Sequence, residues 1–207
     1  VSLARQFMTP STEDLWFVPL GGCGEIGMNL NLFGHDGRWL MVDCGVTFED
    51  TLQGNEVQMP DPHFISERAT TLVGIVATHA HMDHIGALPH LADRFGCPIY
   101  TTPFTAAVLA PKLREASSKA VVNIVHPGQS LALGPFQLTW LPITHSTPET
   151  NGLFIETAAG NIVHTADWKI DPTPLVGQGF DRPLWQSLAS KGVDAVVCDS
   201  TNAMNLG

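Results

Sequence analysis

The sequence predicts a layered α/β sandwich. Three observations carry this. Short runs rich in β-branched and aromatic residues fill the early chain, and apolar residues at helical spacing first appear from Leu88 onward. Gly (19) and Pro (15) supply frequent turns in a chain of 207 residues. Early strands with helices interspersed later suit sheets covered by helices better than an all-β fold.

Trp16 to Leu20 reads as a short strand. Met28 to Phe33 and Arg38 to Val42 read as two strands around the turn Gly34-His-Asp-Gly37. Residues 49–70 are polar and contain proline, which predicts a long loop. Leu72 to Ala77 is an apolar run of the kind found in buried strands. Leu88, Leu91, Ala92 and Phe95 recur at helical spacing, and Gly96 ends the pattern. Ile99 to Thr101 predicts a strand and Pro103 to Ala116 a helix. Val121 to Val125, Leu131 to Leu133 and Phe136 to Leu141 follow as strands. Leu153 to Thr157 and Ile162 to Thr165 form a hairpin over Ala-Ala-Gly-Asn. A short helix near Leu184 to Ser190 leads to a last strand, Val193 to Cys198.

The length suits one domain with a real core. Hydrophobic residues make up 44% and charged residues 14%, a globular composition. The formal charge of −10 argues against nucleic acid, which normally meets a basic face. Bound cations would offset part of that charge locally. Cys23, Cys44, Cys97 and Cys198 form no C-x-x-C pair, so a cysteine zinc site is not expected. Their scatter suits a reduced cytoplasm, with buried free thiols. No apolar run is long enough to span a membrane, and a soluble cytoplasmic protein is expected.

The chemistry concentrates in Thr78-His79-Ala80-His81-Met82-Asp83-His84. This H-x-H-x-D-H segment follows a predicted buried strand and precedes a helix. Imidazole and carboxylate are good zinc ligands, and so many of them in six residues are costly to bury without a cation. Alternate residues of an extended segment point the same way, so His79 and His81 can reach one ion. Asp83 and His84 lie where the chain turns into the helix and can reach a second. A polar surface turn is the bland alternative. A two-ion site needs further ligands, and His145 and Asp167 each stand at a predicted strand end, where sites on α/β scaffolds collect. Alone, either residue would be read as structural.

With these residues assembled, the chain resembles the metallo-β-lactamase superfamily, and within its β-CASP branch the bacterial ribonuclease J group. The resemblance rests on Pro19-Leu-Gly-Gly-Cys-Gly-Glu-Ile-Gly-Met-Asn29, Val42-Asp-Cys-Gly-Val-Thr-Phe48 and Thr78 to Leu88. It continues through Thr144-His-Ser146, His164-Thr-Ala-Asp-Trp-Lys-Ile-Asp171 and Cys198-Asp-Ser-Thr-Asn202. It implies an αββα sandwich of metallo-β-lactamase type. It also implies a first zinc ion on His79, His81 and His145 and a second on Asp83, His84 and Asp167, with Asp167 bridging. Manganese or magnesium are the alternatives to zinc.

Asp43 would be the carboxylate that steadies a ligand, and Asp83 the one that orients the nucleophile. Asp199 matches the acidic residue that opens the β-CASP signature. Ser146 is a candidate for a substrate contact. The implied activity is phosphodiester hydrolysis of RNA, by a protein without a membrane partner and with self-association left open. The resemblance further implies an inserted domain beginning where residues 1–207 end, and a last histidine ligand beyond it. The chain is therefore expected to be an incomplete metallo-β-lactamase-fold domain, its second ion site one ligand short and its own activity in question.

Three other readings compete. Gly22-x-Gly24-x-x-Gly27 mimics a dinucleotide fingerprint, but that motif needs a helix next, and Met28 to Val42 alternates like a hairpin. A hydrolase of a lactam, lactone or thioester is the stronger alternative, because one fold supports several chemistries. A metal-binding domain without activity is the third. His35, His63, His90, His126 and His164 are expected to be structural or solvated. The tryptophans are expected in packing, since nothing arranges them as a base-stacking platform.

Overall fold

Two β-sheets face each other, and helices cover their outer sides. The computed structural model describes residues 9–51 and 54–204. Strands β1 (Trp16–Gly21), β2 (Leu30–His35) and β3 (Arg38–Val42) form an antiparallel meander. Asp36 and Gly37 make the β2–β3 turn with φ of 46° and 68°, the left-handed pair that a tight hairpin requires. A separate hairpin follows, β4 (Thr47–Thr51) with β5 (Gly54–Gln58). After helix α1 (His63–Ser66) and a 3₁₀ turn at Ala69–Thr71, strand β6 (Leu72–Val76) joins β3 in parallel. Helices α2 (Met82–Ile85) and α3 (Leu88–Phe95), strand β7 (Ile99–Thr101), helix α4 (Pro103–Glu115) and strand β8 (Val122–Ile124) come next. The first sheet thus runs β1-β2-β3-β6-β7-β8.

The second sheet is built from β9 (Ser130–Leu133), β10 (Phe136–Pro142), β11 (Asn151–Thr157), β12 (Gly160–His164) and β13 (Ala195–Val197). Its order is β13-β12-β11-β10-β9, antiparallel except for the parallel pair β12–β13. Helix α5 (Arg182–Ala189) leads into β13.

Side-chain alternation assigns the layers. Leu32 and Met41 face α3 and α4, packing with Leu91, Phe95 and Leu109. Phe33, Leu40 and Val42, one residue along, face inward against Phe136, Trp140 and Leu153 of the second sheet. Leu141, Phe154 and Val163 face the other way, beneath Leu188 of α5. The layers are therefore helix, sheet, sheet, helix, as expected from the sequence. Among the described residues, no helix is long and apolar enough to cross a membrane.

Several expectations are corrected. Residues 49–70 are not one loop, because β4, β5 and α1 occupy much of that segment. Their polar composition hid them: β4–β5 is a detached two-stranded hairpin with Phe48 and Val57 exposed, so it lacks the buried face that makes a strand legible. All four cysteines are free, but only Cys44 is fully buried, and Cys23 and Cys198 are exposed. Trp39 and Trp140 are core residues, whereas Trp168 is 40% exposed. His35 belongs to β2 rather than to a turn, and its Nδ1 lies 2.7 Å from the Asp14 carbonyl oxygen. The last residues, where an inserted domain was expected to begin, lie outside the described residues.

Candidate metal centre

The site forms at one end of the sandwich, where both sheets stop. The chain leaves β6 at Val76, and His79 and His81 follow within five residues. His81 takes an extended backbone, with ψ 149°, as the residue preceding α2, and Asp83 and His84 fall on that short helix. The second sheet delivers the rest. His145 stands three residues past the end of β10, and Asp167 three past the end of β12. Neither is on the strand itself. Irregular backbone carries both, and Ala166, just before Asp167, has a φ of 53°.

Two sets of donors converge. His79, His81, His145 and Asp167 each offer one ligand atom, all within 4.8 Å of one another, and so do Asp83, His84 and Asp167. Asp167 belongs to both sets, with Oδ1 3.2 Å from His84 Nε2 and Oδ2 3.6 Å from His145 Nε2. His81 Nδ1 lies 3.0 Å from His79 Nε2 and 3.2 Å from His145 Nε2. A single ring nitrogen has one hydrogen or one lone pair in the ring plane, so hydrogen bonding alone does not account for both contacts. Tetrahedral zinc with Zn–N of about 2.0–2.1 Å separates its nitrogen ligands by about 3.3 Å. The observed spacing and the imidazole–carboxylate donor set therefore fit such an ion.

Charges around the cluster are strongly coupled. Burial pushes the His79 imidazole well below its usual range, assisted by the neighbouring His84 and His81. Burial also lowers His145. It acts on His84 in the same direction but is overcome by Asp43, with Asp167 and Asp83, so His84 titrates well above the ordinary value. Burial opposes ionisation of Asp83 and Asp167, yet hydrogen bonding to His84 holds both below the ordinary carboxylate value. A cation here would meet His79 and His145 already neutral, displace the proton held on His84, and meet carboxylates already ionised.

Asp43 is fully buried directly after β3 and has a φ of 64°. Its Oδ1 accepts from the Thr78 amide at 2.8 Å. Its Oδ2 accepts from the Thr78 hydroxyl at 2.9 Å and lies 2.7 Å from His84 Nδ1. Thr78 Oγ1 also lies 3.0 Å from His79 Nδ1. One carboxylate thus bears on ligand candidates from both donor sets.

Asp199 and Ser146 sit outside both sets. Asp199 follows β13, donates its amide to Thr165 Oγ1 at 3.1 Å and accepts from Thr201 within its own turn. It lines a cleft of about 790 Å³ together with Asp83, His84 and Asp167. Ser146 is exposed, its hydroxyl 3.3 Å from His81 Nε2. His164 is buried behind the site, accepts from the Ala166 amide at 3.1 Å and is lowered by burial to about 4. The Gly22, Gly24 and Gly27 segment runs into β2 rather than a helix, so the phosphate cradle of a dinucleotide site is absent there. Sequence reasoning gave no role to Asn29 or Thr78, although both stand in the motifs that carry the resemblance, because their contacts to Asp83 and Asp43 join segments far apart in the chain.

Comparison with known proteins places the family. The chain is 44% identical over 203 residues to the ribonuclease J of Sinorhizobium meliloti, covering 94% of this chain and 36% of that one. It is 40% identical over 186 residues to ribonuclease J of Mycobacterium tuberculosis, covering 89% and 33%. The chain therefore spans about a third of the length of these relatives. Among solved structures, the metallo-beta-lactamase fold protein YhfI of Bacillus subtilis superposes with a TM-score of 0.53 at 24% identity, covering 75% of this chain and 63% of that one. Zn(2+)-bound PqqB from Methylobacterium extorquens gives 0.51 at 14% identity, covering 82% and 56%. The family model of the beta-lactamase superfamily domain matches residues 38–199 and so takes in every residue of the cluster. By that match, supported by the shared fold, the chain belongs to the beta-lactamase superfamily.

Proposed function

We propose that this chain is the metal-binding part of a zinc-dependent hydrolase that cleaves phosphodiester bonds in RNA, as the name of its ribonuclease J relatives describes. The observation that carries this reading is the sharing of Asp167 between two donor sets. Two ions held side by side suit an in-line displacement at phosphorus. His79, His81 and His145 would hold the first ion, and Asp83 and His84 the second, with Asp167 between them. Zinc is favoured by the imidazole-rich set, with manganese or magnesium as substitutes.

When bound, the ions supply Lewis acidity that acidifies a water and offsets charge on the attacked phosphate. The chain's own residues do the remainder. Asp43 keeps Nδ1 of His84 engaged, so that its Nε2 faces the site. Asp83 would orient the attacking water, and Asp199, on the wall of the same cleft, would act on the reacting group. Ser146, exposed with its hydroxyl 3.3 Å from His81 Nε2, would offer a contact to a substrate oxygen. The active form would be a longer cytoplasmic protein of the β-CASP branch, in which residues 1–207 are the first part of the catalytic domain and another segment completes the second ion's ligands.

The test is cleavage of a 5′-labelled single-stranded RNA by the zinc-loaded longer protein, beside His79→Ala, Asp167→Ala and Asp199→Asn. Metal-dependent cleavage that is lost in the first two and slowed in the third is expected. Undiminished cleavage in His79→Ala sinks the reading. One observation favours a second reading: among the described residues, no lysine or arginine lines the cleft. A small lactam, lactone or thioester needs no basic wall. Turnover of nitrocefin or a thioester, with RNA left intact, would establish that alternative.

A further inference from the structure

Asn29 stands outside both donor sets yet touches both partners of the Asp83–His84 pair. Its backbone amide donates to the Asp83 carbonyl oxygen at 3.0 Å. Its side-chain Nδ2 donates to the same oxygen at 3.1 Å and lies 3.2 Å from His84 Nε2. Asp83 is therefore gripped twice by one residue from a distant part of the chain.

The grip is closed by glycines. A Cβ at Gly22 would lie 2.3 Å from Asn29 Oδ1, and one at Gly21 would lie 2.2 Å from the Met28 carbonyl oxygen. On the opposite side, Gly45 donates its amide to the Asn29 carbonyl at 2.9 Å. A Cβ at Gly45 would fall 1.6 Å from the Asp83 carbonyl oxygen, so no other residue fits without moving the backbone. The start of the motif that mimics a dinucleotide fingerprint thus makes room for a carboxamide, not for a phosphate.

This matters because α2 spans only four residues. A helix that short cannot satisfy its own terminal carbonyls or hold its direction. Outside donors take its carbonyls: Asn29 on Asp83 and Cys44 on His84 at 3.0 and 2.8 Å, and Val46 on Met82 at 3.1 Å, beside the Gly86 amide of the helix end. Asn29 alone of these adds a side-chain donor.

We propose that Asn29 is a positioning residue for the Asp83, His84 and Asp167 group, fixing the angle at which Asp83 and His84 present their ligand atoms to one cation. The proposal rests on the metal-binding reading above but not on RNA as substrate. Outer hydrogen-bond partners of metal ligands typically change affinity by roughly 10–100-fold when removed.

The experiment is a cobalt(II) titration of the chelator-stripped longer protein, in which the second ion's ligands are complete, followed by visible absorption. Wild type is compared with Asn29→Leu, which keeps the bulk without the donor, and with Asn29→Ala. The expected result is a second cobalt equivalent weakened about tenfold or more, with the first equivalent unchanged. Thermal midpoints of the metal-free proteins run alongside. Three results overturn the proposal: both equivalents binding as in wild type, both weakening equally together with a large fall in the metal-free midpoint, or wild type taking up fewer than two cobalt ions at millimolar metal. Failure of the RNA-cleavage test leaves the cobalt result standing, so the two readings fall separately.

Discussion

His84 and Asp43 form a buried pair, Nδ1 to Oδ2 at 2.7 Å, with side chains 3% and 0% exposed. Asp43 is held in turn by the amide and hydroxyl of Thr78. The pair therefore couples the end of β3 to the segment leaving β6. It also fixes the ring so that Nδ1 is committed and Nε2 points toward Asp167 and Asp83.

Asp43→Asn tests that coupling. Asn tolerates the left-handed backbone at this position and preserves the shape. It removes the charge and one acceptor. Zinc affinity, measured by competition with a chelating dye, is expected to fall about 10–100-fold. Loss of buried hydrogen bonding is expected to cost the metal-free protein about 1–3 kcal/mol. Unaltered zinc affinity would show that Asp43 serves the fold alone.

Metal removal should be visible in unfolding. An ion bound only by the folded state adds about 4 kcal/mol at a thousandfold excess over its dissociation constant. For a domain of this size that raises the midpoint by about 10 °C. Scanning calorimetry with zinc and then with chelator reads the difference. Coincident transitions would mean that the donor sets hold no cation.

His164 predicts a specific acid sensitivity in the metal-free protein. Its folded value is lowered by burial from 6.5 to about 4. The unfolded chain then binds the proton more readily, so the contribution is intact above pH 6.5 and declines as pH falls toward 4. The decline amounts to about 3 kcal/mol at most. Asp83 and Asp167, both lowered, add their loss only as pH falls below the ordinary carboxylate value of 3.8, which separates the windows. His79 and His145, also lowered by burial, add to the same decline, so His164→Gln should reduce rather than abolish the slope of urea-measured stability between pH 6.5 and 4, and an unchanged slope contradicts the assignment.

Glu149 caps a helix from a distance. Its Oε2 accepts from the Phe104 amide at 2.8 Å, in the first turn of α4, where Thr102 provides no side-chain cap. The same loop carries His145. Glu149→Ala should cost about 1 kcal/mol, a midpoint drop of about 2–4 °C, and should weaken zinc binding. Glu149→Gln should recover part of both, because the amide oxygen still accepts while the charge–dipole attraction is lost. An unshifted midpoint in the alanine variant refutes the cap.

The sequence was informative where one residue's chemistry or one periodicity decides the outcome. Leu88, Leu91, Ala92 and Phe95 described α3, and Gly96 closes it with a φ of 64°. The six candidate donors were legible because His79 to His84 crowd together and because a resemblance pointed to His145 and Asp167. Their assembly was not legible. It depends on where β10 and β12 stop and on three further residues of irregular backbone after each. The hairpin β4–β5 escaped because its pairing is local and its apolar residues are exposed. Asn29 escaped because its importance lies in one carbonyl it grips 54 positions away.

The division of donors between the two sheets has a mechanical consequence. His79, His81, Asp83 and His84 ride on one leaf of the sandwich, and His145 and Asp167 on the other. A bound ion is then a rivet through both leaves, and the distance it must bridge is set by the filling between them. Trimming Trp140 or Phe33, in the core between the sheets, would be expected to let the leaves slip and change the bite of the site. If an ion binds there, packing away from the ligands would set the fit of the site without any change of ligand.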